Sequence, residues 1–273
     1  MLTWLIAVAF GLFLVFGLYL YFNQGRMVFM PIKELALTPD ILEIPFEDVS
    51  IPVGGKDNIH AWFFPDEDSK KAVLFCHGNA GNVSHRLETV EFFREYKINV
   101  LLFDYRGYGL SDGSPSEAGV YEDTRAAFDW LVNERGFLPE NIVVFGRSLG
   151  GAAAIDLAAQ TKCGGLVVES SFTSAYAIGR AMFPFFPVRY LLRFKFDSVG
   201  KIEKVSCPTL VTHSPDDDMI PYEMGRQLYE AAPEPKAFVA LSGGHNSREY
   251  FEDDGYKSAL RNIFYPASEA DDE

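Results

Sequence analysis

A serine surrounded by small residues stands out near the middle of the chain. Ser148 lies in FGRSLGG, residues 145–151, and the pattern G-x-S-x-G around it is typical of a nucleophile elbow. An elbow needs a strand directly before the serine and a helix directly after it. The apolar run NIVVF before Gly146 and the run GGAAAIDLAAQ after Leu149 predict both. The helix N-terminus would direct backbone amides and the positive end of its dipole at the hydroxyl. Ser148 is therefore our candidate nucleophile.

The chain carries a second copy of this pattern, GLSDG at residues 109–113, around Ser111. Its surroundings, DYRGYGLSDGSPSEAG, are typical of a loop, and Ser114-Pro115 follows it where an elbow needs an apolar helix. The context therefore favours Ser148 over Ser111.

A serine hydroxyl is a weak nucleophile until a base removes its proton, and the base needs an acid to orient it. Of the five histidines, His245 in LSGGHNS lies in a loop directly after the last predicted strand, and we interpret it as the base. The other four are expected to be structural: mid-strand His60, His77 in the wrong chain order for a base, His85 at a solvent-facing helix start, and His213 supporting the loop that supplies the acid.

The acid is expected in HSPDDDMIP, which offers Asp216, Asp217 and Asp218. For two of the three, a solvated turn is the ordinary interpretation. Glu169, directly after the run GLVV, is an alternative acid. The order Ser…Asp…His along the chain is the one found where a serine stands on a strand–turn–helix elbow.

Acyl transfer also needs amide donors placed where negative charge develops on the substrate oxygen. The amide of Leu149, directly after the nucleophile, is one candidate. Asn79, in the sequence HGNAGN after the first buried strand, is the other. The alternative for this second stretch is an ordinary Gly/Asn turn, but its position after that strand favours the oxyanion hole.

The elements that must position these residues alternate along the chain. The segments DVSIPV and NIHAWFF, joined by GGKD, predict an opening antiparallel hairpin. After it, buried strands alternate with helices, which predicts an α/β fold with a mainly parallel sheet covered by helices on both faces. Ligands and catalytic groups gather at the carboxyl ends of such strands. The expected strands are 72–76, 98–103, 141–145, 165–168, 208–213 and 237–241, and the expected helices are 84–96, 116–135, 148–160, 221–232 and 247–263.

The first residues differ from the rest of the chain. From Leu2 to Phe22 there is no charge, and about twenty apolar residues suffice to span a bilayer core. A signal peptide is the first alternative, but no Lys or Arg precedes the run and YLYFNQG is a poor cleavage site. A core helix is the second alternative. We predict a single-pass transmembrane anchor over 1–25 and one domain over 26–273. Arg26 and Lys33 follow the span and favour the cytoplasmic side for that domain.

Residues 171–204 form a connection that is longer than usual and rich in aromatic residues and proline. We predict a small helical cap inserted between two strands. Its aromatic residues either pack on the core or form an apolar lip for an acyl chain near anionic headgroups. All charges between residues 172 and 196 are positive: Arg180, Arg189, Arg193 and Lys195. The final SEADDE predicts a solvated acidic tail.

Composition narrows the possible partners. The net charge of −14 over 273 residues argues against a nucleic-acid partner, which would require a basic face. Cys76, Cys163 and Cys207 have no metal-ligand spacing, and Cys76 and Cys207 are expected to be core residues. No metal and no organic cofactor is expected, since the serine chemistry is complete without one.

Several motifs in order resemble one known family. FCHGNAGNVSHRL, LLFDYRGYGLSDGSPSEAGVYEDT, VVFGRSLGGAAAIDLA, FFPVRY and GGHNS resemble the membrane-anchored α/β-hydrolases related to the fungal bud-emergence proteins, a group that includes animal α/β-hydrolase-domain membrane proteins. The resemblance runs from about residue 44 to 262. It implies the α/β-hydrolase fold with a small cap behind an N-terminal transmembrane helix.

The resemblance also implies roles for individual residues. It gives Ser148 as nucleophile and His245 as base, and aligning the family's H-G-x-x-D-x-x-V-P with residues 213–221 gives Asp217 as the acid. Ser214 stands where the family usually has glycine. Within DYRGYG, Asp104 and Arg106 are implied to brace the floor of the site.

The implied activity is that of a membrane-anchored serine hydrolase. It would cleave a carboxylic ester or thioester, with an acyl chain in its substrate, through an acyl-enzyme intermediate. Because profiles of this region overlap those of serine aminopeptidases and monoglyceride lipases, a peptidase or amidase on the same scaffold is the alternative. A non-catalytic membrane scaffold is a third reading, and it would predict a broken triad.

Overall fold

The computed structural model describes residues 1–266. The acidic tail expected at SEADDE, residues 268–273, lies outside the described residues.

An eight-stranded sheet forms the centre of the molecule. Its order is β8-β7-β6-β5-β3-β4-β2-β1, and all neighbours are parallel except β1 with β2 and β2 with β4. The opening hairpin and the six apolar runs expected from the sequence are all strands. Their bounds are β1 Glu47–Val53, β2 Asp57–Phe64, β3 Ala72–Cys76, β4 Asn99–Phe103, β5 Ile142–Arg147, β6 Gly165–Glu169, β7 Thr209–His213 and β8 Lys236–Ala240.

Helices precede the sheet, connect its strands and follow it. Within residues 1–266, four short 3-10 helices accompany them, at Pro39–Leu42, Val83–His85, Pro139–Asn141 and Glu249–Glu252. The α-helices are α1 Leu2–Val28, α2 Leu87–Arg94, α3 Glu117–Asn133, α4 Leu149–Ala158, α5 Ala175–Met182, α6 Val188–Leu191, α7 Ser198–Ile202, α8 Tyr222–Ala231 and α9 Asp254–Phe264.

Two expected helices, 84–96 and 247–263, are each broken into a 3-10 turn and an α-helix. The first break follows a capping box in which Asn82 and His85 bond each other's backbone amides. The second falls at Asp253, whose carboxylate accepts the amide of Tyr256 and so begins α9. A side-chain cap therefore divides the second stretch, whereas in the first Asn82 caps only the 3-10 turn and α2 begins after Arg86 without a side-chain cap.

Helices cover both faces of the sheet, as the strand–helix alternation predicts. Alternate residues of one strand enter opposite layers: Leu74 packs in the layer with α3, α4 and α8, whereas Phe75 packs in the layer with α2 and α9. This is the two-faced burial expected for central parallel strands.

The free thiols of Cys163 and Cys207 lie 3.3 Å apart in the interior.

The expected cap is present between β6 and β7 and carries α5, α6 and α7. Its return to the domain is fixed by Glu117 at the start of α3, whose carboxylate accepts the amides of Lys195 and Phe196, each at 2.7 Å. The described chain is thus one α/β domain with a small helical insertion.

Helix α1 is a candidate membrane span. Its most apolar 18 residues have a mean hydropathy of 2.4, and 6% of that window is buried. The helix ends at Val28, three residues after the boundary expected at residue 25. The chain then forms a short parallel pair that the sequence did not suggest, Met30–Pro31 with Ala80–Gly81, which ties the segment after α1 to the loop after β3.

Candidate active site

Ser148 stands on a sharp turn between β5 and α4. Its φ of 55° and ψ of −118° lie in a region that side chains other than glycine rarely occupy. The turn forms because its neighbours lack side chains. A Cβ at Gly150 would run into the carbonyl oxygen of Cys76, and a Cβ at Gly146 would run into the carbonyl oxygen of Gly150. The glycines of the motif therefore allow the strand and the helix to meet at the serine.

His245 and Asp217 lie next to Ser148 in a hydrogen-bonded line. His245 Nε2 is 3.2 Å from Ser148 Oγ, and His245 Nδ1 is 2.8 Å from Asp217 Oδ2. The three residues come from the ends of β5, β7 and β8, which meet at the carboxyl edge of the sheet. This is the geometry in which a carboxylate orients an imidazole and the imidazole accepts the proton of the hydroxyl.

Asp217 is held ionised by several donors. Its Oδ1 accepts the amides of Met219 at 2.9 Å and Ile220 at 2.8 Å, and its Oδ2 also lies 3.3 Å from His213 Nε2. Burial opposes the charge, but the hydrogen bonds from His213, His245 and the backbone outweigh it and hold the pKa of Asp217 well below its usual range. His213 thus supports the acid loop, as its position in the sequence suggests.

The other two aspartates of the loop differ from each other. Asp216 is exposed. Asp218 is also exposed, but its Oδ1 accepts the amide of His245 at 3.0 Å. It therefore does more than a solvated turn residue would, because it fixes the backbone of the residue expected to be the base.

Glu169, the alternative acid, is bound by other groups. It is buried, its Oε1 accepts the hydroxyl of Tyr250 at 2.7 Å, and its Oε2 accepts that of Tyr256 at 2.5 Å. Its Oε1 also lies 3.4 Å from Arg147 Nε. Burial opposes the charge of Arg147, but Glu169 and neighbouring groups hold the pKa of that guanidinium above its usual value.

Arg147 links this buried cluster to the candidate base. Its Nη2 donates to the carbonyl oxygen of His245 at 2.6 Å. Arg147 and Glu169 are direct neighbours in the pairing of β5 with β6. Sequence reasoning did not single out Arg147, although a charged residue between two buried strand ends requires a counter-charge, and Glu169 ends the adjacent strand.

The loop after β3 lies against the elbow. A Cβ at Gly78 would lie 3.5 Å from Ser148 Cβ. The carbonyl oxygen of Asn79 accepts the amide of Met30 at 3.0 Å and the hydroxyl of Tyr108 at 2.8 Å, which fixes the backbone there. Of the two expected oxyanion-hole residues, Leu149 directly follows the serine, and Asn79 follows Gly78, which lies against it.

Asp104 stabilises the loop after β3. Its Oδ1 accepts the amide of Val83 at 2.9 Å and lies 3.4 Å from His77 Nε2. His60 Nδ1 lies 3.8 Å from the other carboxylate oxygen. Arg106 instead pairs with Asp123 of α3 at 2.7 Å. Both residues of the DYRGYG turn are thus structural supports, and His60 and His77 lie within this buried cluster.

The remaining candidates have local roles. Ser111 is buried, and its hydroxyl donates to the carbonyl of Asp104 at 2.8 Å and accepts the amide of His60 at 2.9 Å. His85 was expected to face solvent but is only half-exposed, because its ring accepts the amide of Asn82 in the capping box. Within residues 1–266, no cluster of three or more His, Cys, Asp or Glu side chains is arranged to hold a metal ion.

Known proteins similar to this chain identify its family. A family model described as serine aminopeptidase S33 matches residues 67–194. A Mycobacterium tuberculosis protein of uncharacterized function is 36% identical and covers 89% of this chain and 88% of its own. WAV2 of Arabidopsis thaliana, an α/β-hydrolase domain-containing protein, is 32% identical and covers 81% and 80%. The chain belongs to the α/β-hydrolase family.

Other relatives and solved structures agree with this family. An uncharacterized membrane protein of Saccharomyces cerevisiae is 31% identical over 89% of each chain. The structure of a Pyrococcus furiosus esterase superposes with a TM-score of 0.72 at 20% identity, covering 86% of this chain and 97% of its own. A Vibrio vulnificus α/β-hydrolase gives 0.70 at 22% identity, covering 88% and 90%. The family and the fold expected from the sequence are confirmed. Together they indicate that this chain is a hydrolase.

Proposed function

We propose that this α/β-hydrolase is a membrane-anchored serine hydrolase that cleaves a carboxylic ester or thioester of an acyl chain. The single observation that carries the proposal is the line of hydrogen-bonding atoms from Ser148 Oγ through the His245 ring to the Asp217 carboxylate. A scaffold without catalysis would have no need to hold Ser148 on a strained turn with the other two side chains beside it.

The reaction follows from these positions. His245 Nε2 takes the proton of Ser148 as Oγ attacks the carbonyl carbon, and Asp217 stabilises the imidazolium that forms. The amides of Leu149 and Asn79 would bind the oxygen on which negative charge develops. The bond to the leaving group breaks, and His245 returns the proton to the departing alcohol or thiol. Water, deprotonated by His245, then attacks the acyl carbon, and the bond to Ser148 Oγ breaks as His245 returns the proton to that oxygen, which releases the carboxylic acid.

Two features support an acyl substrate at a membrane. Helix α1 is long and apolar enough to cross a bilayer, and a yeast relative is described as a membrane protein. The cap exposes large apolar side chains, Phe185 among them. We place the catalytic domain on the cytoplasmic side, because Arg26 and Lys33 follow the span.

A peptidase or amidase on the same scaffold is the second candidate, favoured by the description of the matching family model as a serine aminopeptidase. The two candidates differ in the substrate bond that is cleaved. A panel of p-nitrophenyl acyl esters, acyl thioesters and aminoacyl amides, compared by kcat/KM, separates them. Higher kcat/KM on the aminoacyl amides would favour the peptidase.

Covalent labelling tests the nucleophile. Wild-type protein should react with a fluorophosphonate probe, Ser148→Ala should lose the labelling, and Ser111→Ala should retain it. Because the hydroxyl of Ser111 bonds the backbone of its loop, thermal unfolding should be measured alongside. Labelling that persists in Ser148→Ala would contradict the assignment of the nucleophile.

A further inference from the structure

Helix α1 and the cap contact each other along much of the helix. The ring of Phe186, in the cap, stacks on Phe13 with 4.5 Å between centroids and meets the edge of Phe16 at 5.2 Å. Gly17 leaves room for it, since a Cβ there would lie 3.9 Å from the Phe186 ring. The cap therefore touches the middle of α1 and not only its end.

A second contact fixes the same two elements near the end of α1. The side chain of Gln24 is buried, donates to the carbonyl of Leu191 at 3.0 Å and accepts the amide of Arg193 at 2.7 Å. A buried amide bonded on both sides resists sliding, because movement along the helix would leave its polar atoms without partners. Gln24 thus sets how far along α1 the cap reaches.

The positions of these contacts along α1 indicate how deep the cap would lie in a bilayer. Phe13 precedes Phe22, the last residue of the uncharged run, by nine positions. At 1.5 Å per residue this is about 13 Å along the axis, in a hydrocarbon core about 30 Å thick. If α1 spans the bilayer, Phe13 lies near its middle plane, and the cap residue stacked on it lies within the hydrocarbon.

The cap segment next to Phe13 is apolar. Residues 182–187 read MFPFFP and carry no charged side chain. Phe185 is 89% exposed and Met182 is 61% exposed. Large apolar side chains exposed together are unfavourable in water and mark a contact surface. Lipid hydrocarbon would remove that exposure without any change in the fold.

The backbone of this segment also suits hydrocarbon. Non-helical backbone is tolerated at membrane depth where its polar groups have partners within the protein. Pro184 and Pro187 have no N–H. The amide of Phe183 donates to the carbonyl of Gly179 at 2.9 Å, and the amide of Phe186 donates to that of Phe183 at 3.1 Å. Few donors are thus left to be desolvated.

Positive charges flank the segment on both sides. Arg180 precedes it and Arg189 follows it, and both are exposed. Arginine side chains extend along apolar surface while keeping the guanidinium in the headgroup region. This charge pattern fits a short loop that enters the bilayer from one face and leaves it through the same face.

We propose that Met182–Pro187, which we call the cap tip, is a re-entrant wedge that lies in the bilayer hydrocarbon beside α1. Its partner is the acyl-chain region of the lipid. The inference rests on the membrane span in the proposed function, but not on the bond that the enzyme cleaves.

Depth-dependent quenching tests the proposal on the full-length protein. The variant Phe185→Cys is labelled with the fluorophore NBD at the new cysteine and reconstituted in phosphatidylcholine–phosphatidylglycerol vesicles. The lipids of these vesicles carry a nitroxide quencher either on the acyl chain or on the headgroup. The three native thiols are buried, so wild-type protein measures background labelling. Phe10→Cys reports on α1, and Leu138→Cys, at an exposed residue in the loop before β5, is the control outside the membrane.

We expect NBD at 185 and at 10 to lose most of its fluorescence with the acyl-chain nitroxide, and NBD at 138 to keep it. Quenching at 10 without quenching at 185 would overturn the wedge and leave the span intact. Loss of quenching at both positions would overturn the span and the wedge together, without bearing on probe labelling of Ser148. Met182→Cys gives a second position on the tip, with the same expected quenching.

Discussion

The carboxylate of Asp217 combines a structural role as a hydrogen-bond acceptor with the proposed role of orienting acid. One oxygen takes two backbone amides of its own loop, and the other faces His245. The amides hold the carboxylate in place before any substrate binds, so the imidazole meets a fixed partner. Because the pKa of Asp217 lies well below its usual range, this group stays ionised at neutral pH.

Replacing Asp217 by asparagine should therefore harm catalysis far more than folding. Asp217→Asn should lower kcat by roughly 10⁴-fold on a p-nitrophenyl ester, because the amide favours the wrong imidazole tautomer. Asp216→Asn changes the same charge at an exposed neighbour and should leave kcat near the wild-type value. Glu169→Gln should cost less than Asp217→Asn, since Glu169 acts through Arg147 and two tyrosines. A larger loss in Glu169→Gln would instead identify Glu169 as the acid.

Residue identities were predictable from the sequence where the signal is local. Ser148 lies between two glycines directly after a buried strand, His245 follows Gly244 in the loop after the edge strand β8, and the structure brings their side chains within 3.2 Å. Three adjacent aspartates give no such signal, so Asp217 was singled out only by resemblance to a family. The partners of Glu169, Tyr250 and Tyr256, lie more than 80 positions away in the chain. Only the fold reveals that contact.

At the scale of elements, the elbow depends on backbone contacts that permit no side chain. The carbonyl of Cys76 at the end of β3 occupies the space where a Cβ of Gly150 would lie. Helix α4 can thus begin directly at the serine only while β3 and α4 remain this close. The strained φ of Ser148 is maintained by that packing.

A methyl group at Gly150 should disturb this packing. Gly150→Ala should destabilise the domain at the upper end of the about 1–3 kcal/mol typical of overpacking. A fall of several degrees in Tm and weaker fluorophosphonate labelling should be measured. Gly25→Ala is the matched control, because a Cβ at Gly25 meets nothing within 4 Å in a helix. Equal Tm and labelling in the two variants would contradict the role of the close contact.

Elements were predictable where burial produces continuous apolar runs. Each of the six expected parallel strands lies within two residues of its observed bounds. The helices expected at 84–96 and 247–263 were wrong in one respect, because each is interrupted, the first at Arg86 and the second at Asp253, whose side chain caps α9. The pairing of Met30–Pro31 with Ala80–Gly81 has no composition that marks a strand. It forms because the chain leaving α1 passes beside the loop after β3.

At the scale of the whole molecule, α1 supports the cap and not the core of the domain. In the described part of the chain, the last residue of α1, Val28, packs against one hydrophobic layer, and no earlier residue belongs to either layer. The buried residues of α1 are Gly17, Leu20 and Gln24, and Phe186, Leu191 and Arg193 of the cap lie against this helix. Removing α1 should leave the sheet and its helices folded while releasing one side of the cap.

Two truncated proteins separate these effects. Chains beginning at Asn23 or at Arg26 should both be soluble and hydrolyse a short p-nitrophenyl ester, but only the first keeps Gln24. Its two hydrogen bonds, at about 1 kcal/mol each, should slow local opening of the cap more than tenfold. Limited trypsin digestion measures this, because Arg180, Arg189 and Arg193 are exposed cleavage sites in the cap. Aggregation of both truncated chains would mean that α1 belongs to the core, and equal cleavage rates would remove Gln24 as the link.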